Sequence, residues 1–186
     1  MNLSKLNFVM TIISLMIIVS SFSNSYGEED RKTKWGFSFS VGPNADLFHD
    51  QPDLTIIAFL PRVDLALHKN WDLEFEGNFS YYAISGEKNL YLLGCNSNIL
   101  FKPLQWRRGL LFILGGVGLG YTNSNGMVEE IGDSHVAGVL QGGTGIYLSL
   151  EKDWWLRWEY RYQHISDPFN RDSGLNTHNF ILGLSF

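Results

Sequence analysis

Near the carboxy-terminal end of the chain, a few side chains have the types and spacing of a hydrolytic site. His164 and Ser166 stand two residues apart in the run Arg161-Tyr-Gln-His-Ile-Ser166. In an extended segment, residues i and i+2 point to one face, about 6.6 Å apart along the strand. Imidazole and hydroxyl then lie side by side. A serine becomes a nucleophile when a neighbouring imidazole can take its proton, and a third group is needed to hold the other ring nitrogen. Asn176 supplies such a group if the segment that follows runs back antiparallel, because it then sits on the same row within reach of His164. A plain structural reading competes with this one. Polar residues at the outer end of a membrane strand lie at headgroup level, where they cost little, and a His-x-Ser there needs no chemistry.

The elements that would position these residues alternate with period two. Trp154–His164 places Trp154, Leu156, Trp158, Tyr160 and Tyr162 on one face and Trp155, Arg157, Glu159, Arg161 and Gln163 on the other. Trp71–Tyr81 alternates still more clearly, with Trp71, Leu73, Phe75, Phe79 and Tyr81 against Asp72, Glu74, Glu76, Asn78 and Ser80. Six further runs complete the pattern: Trp35–Val41, Thr55–Leu67, Tyr91–Phe101, Gly109–Tyr121, Val136–Leu150 and Asn176–Phe186. Eight segments of roughly 9–11 residues suit tilted strands that cross a bilayer. One row collects Arg62, Arg157 and Arg161 with Asp64, Asp72, Glu74, Glu76 and Glu159; the other is aromatic and aliphatic. A soluble sandwich would show the same alternation. The apolar amino-terminal segment, the aromatic strand ends and the terminal Phe186 decide for an all-β, eight-stranded antiparallel transmembrane β-barrel. His68–Asn70 and Glu151–Asp153 read as tight periplasmic turns, and the loops at the other end are longer. Lys102–Arg108 is the exception, an over-long turn. With both termini periplasmic, His164 and Ser166 fall at the outer rim, on the row facing lipid, where polar groups are expensive.

Residues 1–27 read as a signal peptide: Lys5 is the basic n-region, Leu6–Val19 the apolar stretch, and Ser25-Tyr-Gly27 the small residues before cleavage. Residues 28–186 are then one outer-membrane β-barrel domain, located in the bacterial outer membrane. The formal charge of −5, with no cluster of Lys or Arg, speaks against a nucleic-acid partner. The lone Cys95 excludes a disulfide framework, and the five His show no metal-ligand spacing, so neither metal nor cofactor is implied. Two glycine-rich runs, Leu114–Gly120 and Gly142–Gly145, resemble phosphate loops but lack the Lys-Ser/Thr and the following helix. They read as strand glycines where a narrow barrel packs closely.

The tail has a further likeness. His164-Ile-Ser166, a loop with Asn170 and Asp172, Ser173-Gly174-Leu175-Asn176 and a final aromatic strand together resemble the lipid A 3-O-deacylase (acyloxyacyl hydrolase) family of outer-membrane barrels. The resemblance implies an eight-stranded barrel with a serine esterase site on its outer surface. It further implies Ser166 as nucleophile, His164 as base, Asn176 as third member, and lipopolysaccharide as partner. The sequence departs from the family at two places. Asn176 stands where the founding enzymes carry Glu, and Asp167-Pro168-Phe169 replaces Asn-Ala-Gly, which helps form the oxyanion hole. Pro168 has no N–H to donate, so weakened activity is expected. The alternative is a non-enzymatic small barrel, serving adhesion, envelope stability or lipid binding, with a degenerate site. The sequence leaves the oligomeric state open, a homodimer included.

Overall fold

Backbone groups that face hydrocarbon have no water to bond, so a sheet that crosses a membrane must close on itself. The computed structural model describes residues 33–44, 53–86, 88–123, 135–151, 153–168 and 174–186. The expected signal segment 1–27 and the loop residues Phe169, Asn170, Asp172 and Ser173 lie outside these. Eight strands form: β1 (Lys34–Pro43), β2 (Leu54–His68), β3 (Trp71–Ile84), β4 (Leu90–Trp106), β5 (Gly109–Thr122), β6 (Val136–Glu151), β7 (Trp154–Ser166) and β8 (Leu175–Ser185). Each pairs antiparallel with the next, and β1 pairs with β8 to close the barrel.

The segment 102–108 corrects the reading of an over-long turn. β4 continues past Phe101 through a register shift to Leu104 and ends at Trp106. Only Arg107 and Arg108 link it to β5, as tight a connection as the other two at that end. Pro103 lies inside the shift. It has no N–H for the ladder, and the alternation breaks around it. At 17 residues, β4 is the longest strand. At a rise of about 3.4 Å per residue it outreaches a tilted span of the roughly 30 Å hydrocarbon core.

Side chains alternate as the barrel requires. Phe39, Phe59, Phe79, Val117, Trp158 and Leu182 are exposed on the outside. Arg157, Glu159, Glu74 and Asn98 are wholly buried in the lumen. Arg161 pairs with Glu76 at 2.7 Å and with Glu159 at 2.6 Å. Arg157 pairs with Glu74, and its Nε donates to Glu159 at 2.7 Å. Asp72, nearer the short-turn end, pairs with Lys102 at 2.7 Å. The outer half of the lumen is different in kind. Leu54, Ile56, Leu90, Leu92, Val139 and Ile165 belong to a buried apolar cluster there, and a second cluster of Leu100, Phe112, Leu114 and Tyr147 sits among the charges, with the Arg157 guanidinium over the Phe112 and Tyr147 rings. Above a cavity at the short-turn end lined by Asp64, Asp72, Lys102 and Tyr147, the barrel is filled rather than open, as its small strand number dictates.

The glycine-rich runs find their role in this packing. Gly116 and Gly118 of β5 lie opposite Asn98 and Asn96 of β4. A Cβ at either glycine would fall about 2 Å from the facing amide oxygen. The space they leave lets Asn98 donate to Glu74 at 2.7 Å and Asn96 donate to Glu76 at 3.0 Å.

Candidate active site on the outer wall

The last two strands build the site. β7 ends at Ser166 and β8 begins at Leu175, with Ile165 opposite Leu175 and His164 directly opposite Asn176. Strand parity turns His164 and Ser166 outward, where both are half-exposed, while Gln163 and Ile165 are buried in the lumen. On its other side β7 pairs with β6, placing Leu140 beside His164 and Gly138 beside Ser166. Leu140 is 59% exposed on the outer wall, so the imidazole stands next to an apolar, lipid-facing surface.

The His164 and Asn176 side chains meet: Nδ1 of the ring lies 2.8 Å from Oδ1 of the amide. With the amide oxygen toward the ring, Nδ1 carries the hydrogen and Nε2 is left as the basic nitrogen. Tyr162, one step further down the outward row, donates its hydroxyl to the same Oδ1 at 2.5 Å. The ring is also covered from above. Gly174 has φ +70°, and a Cβ there would come within 2.6 Å of His164 Cε1, 3.0 Å of Nε2 and 2.5 Å of the Ile165 carbonyl oxygen. Only glycine fits both that backbone conformation and that approach.

Ser166 is less tightly joined. Among the described residues no hydrogen bond links the Ser166 hydroxyl to His164; the two share a row and a rim. Catalytic hydrogen bonds are often long before substrate binds. Asp167, just past the strand end, is 8% exposed, so its side chain is withdrawn from the surface on which His164 and Ser166 open. Pro168 folds back over β6, its Cβ near the outward side of Gly138.

The sequence pattern pointed to His164, Ser166 and Asn176, and the fold sets all three on one outward corner. It did not point to Tyr162 or Gly174. Tyr162 shares the parity of His164 and passed for an ordinary lipid-facing aromatic. His178 shares the parity of Asn176 but takes no part in holding His164. Its Nδ1 lies 2.5 Å from the Tyr160 hydroxyl. Among the described residues, no group of three or more His, Cys, Asp or Glu could hold a metal ion.

A closed eight-stranded antiparallel barrel, aromatic outside and ion-paired within, is the architecture of an integral outer-membrane protein. Residues 62–186 match the family model described as the outer membrane protein beta-barrel domain, and the chain belongs to that family. It is accordingly a small β-barrel of the bacterial outer membrane. No curated protein matches it in sequence. Among solved structures it is similar to the outer membrane enzyme PagL, with 14% identity over 80% of this chain and 97% of that one and a TM-score of 0.61. It is similar also to Neisserial surface protein A, with 14% identity over 84% of this chain and 98% of that one and a TM-score of 0.58. At such identities the likeness is one of fold.

Proposed function

We propose that the protein is a serine-type carboxylic ester hydrolase that removes an ester-linked acyl chain from the lipid A part of lipopolysaccharide in the outer leaflet. The observation that carries this reading is the 2.8 Å contact between His164 and Asn176 on the outward face, in the row that holds Ser166. The resemblance of residues 164–176 to the lipid A 3-O-deacylase family supports it. Ser166 Oγ attacks the ester carbonyl carbon while His164 Nε2 takes the hydroxyl proton. The carbonyl oxygen becomes an oxyanion, for which the Asp167 N–H is the nearest backbone donor past the nucleophile, Pro168 having none. The tetrahedral intermediate collapses, the sugar oxygen leaves with the proton from His164, and the acyl group stays on Ser166. Water, deprotonated by His164, then releases the fatty acid and restores the serine. Asn176 holds the ring through both half-reactions. It orients a neutral tautomer but brings no charge to balance the imidazolium. An outward-facing site suits a substrate that diffuses in the plane of the membrane.

A second reading is a non-enzymatic barrel whose external loops carry its role. The missing Ser166–His164 hydrogen bond and the proline after Asp167 favour it. Mass spectrometry of lipid A decides. Cells that produce the protein should show lipid A lighter by one acyl chain. Ser166→Ala and His164→Ala should each abolish that product while the purified barrel keeps its heat-modifiable mobility. Because the pair acts as a unit, the double variant should lose little more than either single one. Intact lipid A with the unaltered protein assigns the chain to the second reading.

A further inference from the structure

Two donors converge on one atom at the site. Asn176 Oδ1 receives the Tyr162 hydroxyl at 2.5 Å and lies 2.8 Å from His164 Nδ1. We propose that Tyr162 is a positioning residue: it holds the Asn176 amide with its oxygen toward His164 and so fixes the tautomer that leaves Nε2 free to act as a base.

The reasoning starts from the amide itself. A carboxylate in the third position accepts through either oxygen, so its rotation by half a turn changes nothing. An asparagine has one accepting oxygen and one donating NH2 of nearly the same shape. Turned the wrong way, it would present NH2 to the ring, make Nδ1 the acceptor and move the hydrogen to Nε2. The base would then be blocked on the side needed by Ser166. A chain that carries Asn176 therefore needs something to set the amide's direction. A phenol is a strong donor and a weak acceptor, so the Tyr162 hydroxyl selects the oxygen. The amide oxygen has two lone pairs, and the two donors use both.

The fold supplies the geometry. Tyr162 is two residues from His164 on β7, and its direct partner on β8 is His178, with Asn176 one outward rung higher. Its hydroxyl thus reaches diagonally across the strand pair, a span open to long aromatic side chains. The Tyr162 ring meets the His178 ring edge-on, with centroids 6.0 Å apart. Tyr160 repeats the diagonal one step lower, its hydroxyl on His178.

The inference rests on the esterase reading only for its kinetic arm, and a spectroscopic arm stands apart from it. The barrel is labelled with 15N-histidine and held in detergent micelles, with His164→Gln used to assign the ring signals. Nitrogen shifts should report Nδ1–H and a bare Nε2 at His164. Tyr162→Phe keeps the ring and its packing but removes the hydroxyl. It should bring in a population with hydrogen on Nε2. In lipid A deacylation, Tyr162→Phe should lower kcat roughly tenfold with little change in KM, the scale set by one hydrogen bond of ordinary worth. In an Asn176→Asp background, where the acceptor is symmetric, the same substitution should change kcat by no more than about twofold. An unaltered His164 tautomer in Tyr162→Phe overturns the proposal, whatever the activity. So does an equal kinetic loss in both backgrounds, which marks a merely structural tyrosine. A tautomer shift in a barrel that never cleaves lipid A upholds the role of Tyr162 and sinks the esterase reading instead.

Discussion

His164 is held from two directions, by the Asn176 oxygen across the strand pair and by the Gly174 backbone over Cε1 and Nε2. The second hold is as demanding as the first. Gly174→Ala would put a methyl group within 2.6 Å of the ring and 2.5 Å of a backbone oxygen, at φ +70°. The left-handed backbone alone costs an L-residue roughly 1–2 kcal/mol. The ring is the softer neighbour, so it should swing away from Asn176. If the protein is the esterase we propose, Gly174→Ala should therefore lower lipid A deacylation at least tenfold, while the urea midpoint of the barrel falls by about 1–3 kcal/mol in equivalent stability. Full activity in this variant would show that the backbone there has no hold on His164. Of these contacts, only the His164–Asn176 pairing was legible in the sequence, because it follows from strand parity and an antiparallel return. The Tyr162 diagonal depends on the stagger of β7 against β8. The place of Gly174 depends on how the chain enters β8. Neither leaves a periodic mark in the sequence.

At the level of the strand, alternation could be read wherever the two faces differ in polarity. β3 and the lower part of β7 showed it clearly, since Glu74, Glu76, Arg157 and Arg161 are buried on one face while Trp71, Phe79, Trp158 and Tyr160 are exposed on the other. It faded where both faces are apolar. In the upper part of β2, Ile56, Ala58 and Leu60 fill the lumen while Ile57 and Phe59 meet lipid, and a run of that kind does not reveal which side is inside. β5 shows the same problem in another form, because its inward glycines carry no side chain to register a face. Their packing gives a test within a single strand. Gly115 points outward with no atom within 4 Å of its would-be Cβ, whereas Gly118 faces the Asn96 amide oxygen at 2.0 Å. Gly118→Val should destabilise the barrel by about 1–3 kcal/mol through overpacking and loss of the amide's place. Gly115→Val, which adds an apolar group on the lipid side, should be within about 1 kcal/mol of the unaltered protein. Urea unfolding in detergent micelles measures both, and equal losses at the two positions would contradict the assigned faces.

For the molecule as a whole, the outer-wall site stands on a barrel held rigid from within. Arg157 is at the centre of that interior. It pairs with Glu74 and donates to Glu159 at 2.7 Å, and its Nη1 donates to the Tyr147 hydroxyl at 2.8 Å. All three charged groups are fully buried. Burying charges is expensive, and the expense is met only while every partner is in place. Arg157→Met keeps much of the volume but leaves two carboxylates short of a cation. It should cost about 3–5 kcal/mol, the range for breaking a buried pair from one side. The carboxylates are not equivalent in what remains to them. Glu159 keeps Arg161 at 2.6 Å, whereas the nearest guanidinium left to Glu74 is that of Arg62 at 3.8 Å. Glu74 is therefore the group left most exposed to the loss. Glu74→Gln on top of Arg157→Met should recover a substantial part of the lost stability, because a neutral amide can still accept from Asn98, which now donates to Glu74 at 2.7 Å. By itself, Glu74→Gln should destabilise, since it leaves Arg157 underpaired. Urea midpoints of the three variants in lipid vesicles measure the coupling. If the two substitutions simply add, Arg157 and Glu74 do not depend on each other, and the lumen is not the connected network that its distances describe.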